Sequence, residues 1–144
     1  MDLGRIHNIR VVPQKRISVE GGDVLHVINS TEPEFKEFNE AYFSIVKANF
    51  IKAWKRHRKM TMNLIVPIGR VQFIFYNGSG ELILNTTIGE DNYCRITVPP
   101  KIWFGFKGLA KRDSYILNVA DIPHDPLEVD RKPLIDFNFL PEER

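Results

Sequence analysis

No aspartate or glutamate occurs between Ala41 and Gly80, a span of forty residues. The same span carries Lys47, Lys52, Lys55, Arg56, Arg58, Lys59 and Arg70. Five of these cations fall within one octet, Lys52-Ala53-Trp54-Lys55-Arg56-His57-Arg58-Lys59. The whole chain of 144 residues has a formal charge of only +2, so this is local polarisation in a near-neutral protein. Domains that bind single-stranded nucleic acid usually carry a clearly basic balance, which weighs against that class. Cations leading into strand-like segments predict an anionic ligand, with phosphate the commonest choice.

Cysteine occurs once, as Cys94, which excludes an internal disulfide and a cysteine-based zinc site. In the strand-like run Tyr93-Cys94-Arg95-Ile96 it reads as a small buried hydrophobe. No apolar run is long enough to span a bilayer, so no membrane partner is expected. The opening Met1-Asp2-Leu3-Gly4-Arg5 lacks the apolar centre of a signal peptide, which predicts a cytoplasmic protein. There is no internal repeat, no low-complexity tract and no amphipathic helical window beyond a few turns. One domain spanning 1–144 is expected.

What the chain does have is short strands and turn chemistry. Ala41 to Val46 and Phe50 to Arg58 read as extended, as do Leu64-Ile65-Val66 and Val71 to Tyr76. Asn77-Gly78-Ser79-Gly80 is a hairpin turn, since Asn and Gly take positive φ at low cost. Glu81 to Thr86 is its return strand, and Tyr93 to Val98, Trp103 to Phe106 and Ser114 to Val119 follow. Leu134 to Leu140 is read as a last strand. Eight or more strands at such spacing predict an all-β sandwich or barrel.

Three segments then fall into a known order. They are Phe50-Ile51-Lys52-Ala53-Trp54-Lys55-Arg56-His57, Val66-Pro67-Ile68-Gly69-Arg70-Val71 and Val98-Pro99-Pro100-Lys101-Ile102-Trp103-Phe104-Gly105-Phe106, with Asn118 to Pro126 after them. The chain resembles the dTDP-4-dehydrorhamnose 3,5-epimerase family over roughly residues 20–140, and more closely its small divergent members. The resemblance implies a cupin jelly roll, a homodimer, and a barrel mouth that receives a dTDP-linked 4-keto-6-deoxyhexose. It implies proton exchange next to the ketone with no cofactor. The family's base histidine falls on Lys55, its tyrosine near Leu117, and a second histidine on Phe104.

The residues allow a substitute set. Positions two apart on a strand share a face, so Lys55 and His57 point together, and Tyr115 shares a face with Leu117. His57 is expected as base, Lys55 as the cation that steadies the enolate and Tyr115 as acid. Lys52, Arg56, Arg58, Asn63 and Trp103 are expected to bind the ligand, Lys52 standing where the family has a diphosphate-binding arginine. Each cation has a plainer reading as a solvated strand edge, and Trp54 and Trp103 as barrel filling. Metal ligation is not expected, because only His57 remains of the usual cupin ligand set. His7, His26 and His124 have no ligand spacing among themselves. A non-catalytic cupin that binds a sugar nucleotide is the alternative function.

Overall fold

The computed structural model describes residues 9–143; the opening segment read for a leader, and His7 with it, lie outside the described residues. Two five-stranded antiparallel sheets face each other. The first contains β1 (Arg10–Pro13), β9 (Cys94–Val98), β6 (Met62–Ile68), β11 (Ser114–Ala120) and β4 (Glu40–Val46), in that order. The second runs β12 (Val129–Arg131), β5 (Ile51–His57), β10 (Trp103–Gly108), β7 (Arg70–Tyr76) and β8 (Leu82–Gly89). A small ribbon pairs β2 (Arg16–Ile17) with β3 (Val24–Leu25). This is the expected all-β jelly roll.

The burial of each strand follows from what covers its two faces. β4, at a sheet edge with one face open, alternates half-buried and exposed residues. β7 is buried nearly throughout. Its Val71, Phe73 and Phe75 enter the core between the sheets, while Ile74 and Tyr76 join a second cluster with Trp54 and Trp103. Phe137, Phe139 and Leu140 pack on that second cluster from the C-terminal segment. The central core takes Met62, Leu64 and Val66 from β6, and Cys94, Ile96 and Val98 from β9. Cys94 is therefore a packing residue, as expected of a free cysteine in a strand-like run.

Turn chemistry fixes the connections. Asn77 Oδ1 accepts from the amides of Ser79 and Glu81 at 2.9 and 3.0 Å, closing the β7–β8 hairpin. Gly69 carries the chain from one sheet to the other between β6 and β7 at φ +94°. A Cβ there would lie 2.6 Å from the Cβ of Ser114, so the corner needs glycine.

Leu134 to Leu140 is not a strand. It holds a 3-10 turn at Leu134–Asp136 and then lies across the outside of the second sheet. Its apolar residues mimic strand alternation, but its carbonyls accept from side chains: the Trp54 indole bonds Leu134 O and the Tyr76 hydroxyl bonds Asn138 O. Among the described residues no helix is long and apolar enough to cross a membrane.

Candidate active site

β5 carries the first six residues of the cation octet, Lys52 to His57, and its pairing with β10 decides where those side chains point. The register runs Trp103↔Arg56 and Phe104↔Lys55, then shifts to Gly105↔Ala53. Trp54 is the extra residue. In an unbroken strand Lys52 would face away from Lys55 and His57. The irregularity resets the alternation, and all three line one cavity. Gly105 makes room for it, since a Cβ there would meet Ala53 Cβ at 2.6 Å and the Trp54 ring at 2.8 Å.

The cavity holds about 350 Å³. Leu64, Phe73, Phe104, Phe106 and Ile116 make its apolar walls, and Tyr42, Asn118, Arg131 and Lys132 add polar groups. That combination of a mostly apolar hollow with few convergent polar groups is typical of small-ligand sites.

His57 is its chemical centre. The ring is 2% exposed and lies nearly parallel to Phe104, with centroids 6.1 Å apart. Its Nδ1 is 2.5 Å from Oε2 of Glu128, which is 3% exposed. The other oxygen of Glu128 accepts from the amides of Lys59 and Met60, each at 3.0 Å. Glu128 closes a 3-10 turn, Pro126–Glu128, capped by Asp125, whose Oδ1 accepts from Leu127 N. His57 Nε2 is buried with no hydrogen-bond partner among the described residues.

The charges of this pair follow from the surroundings. Burial pushes the His57 pKa below the ordinary 6.5 and outweighs the opposing pull of Glu128. Burial works to raise Glu128, but the bonds from His57, Lys59 and Met60 prevail and hold its carboxyl below the usual value. The pair is therefore neutral imidazole and carboxylate. An ionised carboxylate only accepts, so Nδ1 carries the hydrogen and Nε2 keeps a free lone pair.

Two more groups flank it. Burial, then the like charge of Arg131, lower the Lys55 pKa, with Glu128 pulling the other way. Burial raises the Tyr42 pKa, only partly offset by the Asn118 amide, which donates to its hydroxyl at 3.0 Å. Tyr42 is thus a protonated phenol in the cavity.

The other expected site residues lie elsewhere. On β11 the inward positions are Ile116 and Asn118, both lining the cavity, so Tyr115 points to the opposite face and does not reach it. Arg56 and Arg58 alternate outward and grip Asp130 at 2.8 and 2.6 Å, holding its carboxyl down to about 2. Asn63 lies between two cavity residues of β6 and faces away. Its Oδ1 accepts from Thr97 Oγ1 at 2.7 Å, and its Nδ2 donates to Val119 O. Trp103 belongs to the outer cluster, with the Arg56 guanidinium 4.8 Å above its ring.

A resident metal does not fit these residues. His57 is the cavity's one imidazole, and its Nδ1 is already committed to Glu128. Among the described residues no group of three or more His, Cys, Asp and Glu is placed to hold a metal ion.

No protein-family model and no curated protein matches the chain. Solved structures do. A dTDP sugar isomerase from Desulfovibrio desulfuricans G20 is 37% identical, covers 88% of this chain and 84% of its own, and superposes with a TM-score of 0.83. The chain belongs to the RmlC-like cupin family. Members at lower identity share the fold. The sugar 3,4-ketoisomerase QdtA of Thermoanaerobacterium thermosaccharolyticum, solved with TDP, is 16% identical over 87% of this chain and 88% of its own, with a TM-score of 0.74. The dTDP-4-dehydrorhamnose 3,5-epimerase of Sulfolobus tokodaii is 16% identical over 96% and 82%, with a TM-score of 0.78. Within this RmlC-like cupin, sequence reasoning missed the polar cavity residues Tyr42, Asn118, Arg131 and Lys132, and Glu128 buried behind His57. Glu128 stands 71 positions from its histidine, and only the Asp-Pro turn before it hints at a fixed position.

Proposed function

We propose that this RmlC-like cupin is a sugar-nucleotide isomerase or epimerase that moves a proton at a carbon next to the ketone of a dTDP-linked 4-keto-6-deoxyhexose. One observation carries the reading: the buried, unpartnered Nε2 of His57, with Nδ1 anchored on Glu128. A free lone pair fixed in position and facing a ligand-sized hollow is what abstraction of a C–H proton requires. The 37% identical protein is a dTDP sugar isomerase, which supports this substrate class.

In this reading His57 takes the proton and Glu128 sets its tautomer. Lys55, on the same face, steadies the charge that develops on the carbonyl oxygen. Tyr42, in place of Tyr115, is the proton donor. The sugar ring occupies the cavity, and the diphosphate lies across its mouth against Lys52 and Arg131. Lys52 Nζ meanwhile donates to Ile45 O at 2.9 Å, which holds it at the rim. A homodimer would cover the exposed Phe43, Ile45 and Ile68 on the outer face of the first sheet.

The test is solvent deuterium entering dTDP-4-keto-6-deoxyglucose, followed by NMR. Exchange into the ring positions beside the ketone is expected, and its loss in H57N. No exchange across several such sugars would overturn the reading. Phe104, stacked on His57 where the resemblance expects a second histidine, favours a binding-only cupin as the second reading. Calorimetric binding of TDP without exchange would establish that one.

A further inference from the structure

Lys55 is the one cation of the octet that lines the cavity with no hydrogen-bond or ion-pair partner among the described residues. Lys52 bonds Ile45 O, and Arg56 and Arg58 are tied to Asp130. Lys55 lines the cavity, yet among the described residues no carboxylate or carbonyl bonds or pairs with its ammonium group. Its cross-strand neighbour on one side is Arg131, a like charge, and on the other Phe104, an apolar wall. His57, with its bare Nε2, stands two residues along the same face.

Partial burial in an apolar hollow beside another cation makes an ammonium give up its proton more easily than in water, and the amine that results is a nucleophile. We propose that Lys55 forms a reversible imine with the carbonyl carbon of the ligand, so that proton removal next to it passes through an enamine. This rests on the function proposed above. It replaces a hydrogen bond to the carbonyl oxygen with a covalent bond to the carbonyl carbon.

The step balances without an oxidant or reductant. The neutral Nζ attacks the carbonyl carbon, the C–N bond forms, and the carbonyl oxygen departs as water. The protonated imine draws electrons from the neighbouring C–H bond, whose proton passes to His57 Nε2. The enamine takes a proton back at the same carbon from Tyr42, on the face opposite the one His57 deprotonated, which inverts that centre, and water hydrolyses the imine to release the ligand and the amine. The scheme also selects between reactions. If the carbonyl moved to the next carbon, Lys55 would be left on a single C–N bond that water does not cleave. An imine therefore assigns inversion beside the ketone, and not transposition of the ketone.

The experiment treats the full chain with dTDP-4-keto-6-deoxyglucose and cyanoborohydride, which reduces imines and spares ketones. Intact mass and peptide mapping then locate any adduct. One ligand adduct on Lys55 is expected, absent from K55R and retained in K59R, whose site is exposed and outside the cavity. Deuterium exchange with no adduct on Lys55 would overturn the imine while leaving His57 as base. A product with its ketone transposed would overturn it too. Absence of both exchange and adduct would overturn the imine together with the function on which it rests.

Discussion

At the residue scale the chemistry turns on which nitrogen of His57 carries its hydrogen. Glu128, accepting two amides and one imidazole, fixes it on Nδ1. Glu128→Gln keeps an oxygen for the Lys59 and Met60 amides but presents an NH₂ group to Nδ1. The hydrogen then moves to Nε2 and the base is lost. The kcat for proton exchange falls by about 10²–10⁴-fold, in the range of a lost general base or a wrong tautomer, while KM changes little. Steady-state kinetics of E128Q check this. The pH dependence has a definite sign. The folded pKa of His57 lies below 6.5, so the working lone pair persists into mild acid, and the acid limb of kcat/KM falls below pH 6.5. Stability runs the same way. The unfolded chain binds the His57 proton more readily, so this contribution is complete above about pH 6.5 and shrinks as pH drops through the folded value. Glu128, also depressed, adds a second loss as pH falls below its ordinary carboxylate value of 4.5. Urea midpoints followed from pH 7 down to about pH 3 show both. The shared face of His57 and Lys55 was legible from strand alternation alone. The partner of His57 was not, because nothing local ties Glu128 to a strand 71 residues earlier.

At the scale of one element, the irregular pairing of β5 with β10 sorts the octet. Alternation alone puts Lys52 on the outer side with Arg56 and Arg58; the extra residue Trp54 brings it inward. Sequence inspection sees a run of cations and assigns Arg56 and Arg58 to the ligand as part of that charge, although alternation alone turns both away from Lys55 and His57. Their guanidinium groups are engaged by Asp130 on the outer side. Lys52→Met and Arg131→Met each weaken TDP by about tenfold, the scale of one lost charge-assisted hydrogen bond, whereas Arg58→Met does not. Titration calorimetry separates them. The same pairing predicts a steric effect. Gly105→Ala drives a Cβ into Ala53 and the Trp54 ring and forces β5 from β10, at about 1–3 kcal/mol. Gly78→Ala, in the open hairpin with nothing within 4 Å, leaves the melting temperature nearly unchanged. Differential scanning calorimetry of the two variants tests the contrast.

At the scale of the whole molecule, the second sheet is covered on both faces, and its outer cover is the C-terminal segment. Sequence patterning finds an all-β sandwich or barrel because most strands have turn residues at their ends, and the family resemblance narrows it to the jelly roll. The patterning misreads Leu134 to Leu140, because packing onto a sheet and pairing into one leave similar apolar spacing. Trp54 and Lys132 exchange two backbone bonds, at 3.0 and 3.1 Å, and the chain then continues over the sheet. Phe137 stacks on Tyr76 at 4.7 Å and meets the edge of Trp54 at 5.4 Å. Beyond the rings, the segment supplies acceptors for buried donors: Leu134 O for the Trp54 indole, Asn138 O for Tyr76 and Leu140 O for Gln72. Phe137→Ala therefore removes ring contacts and leaves those bonds, at about 2–3 kcal/mol for a half-buried aromatic. Deleting residues 133–144 also removes the carbonyl acceptors of four side-chain donors, Trp54, Tyr76, Gln72 and Asn85, of which Gln72 keeps Asn85 Oδ1; a buried donor left unpaired costs roughly 1–3 kcal/mol. Trp54 and Trp103 also lose their cover, so the tryptophan emission of the deletion variant is red-shifted before any denaturant is added, while that of F137A is displaced far less. Glu128 is retained in the deletion variant, yet the strand it precedes pairs with β5, so loosening of the cover reaches His57 through β12. Fluorescence-monitored urea unfolding of both variants, read beside their deuterium-exchange rates, should show stability and exchange declining together in the deletion variant, with F137A intermediate in both.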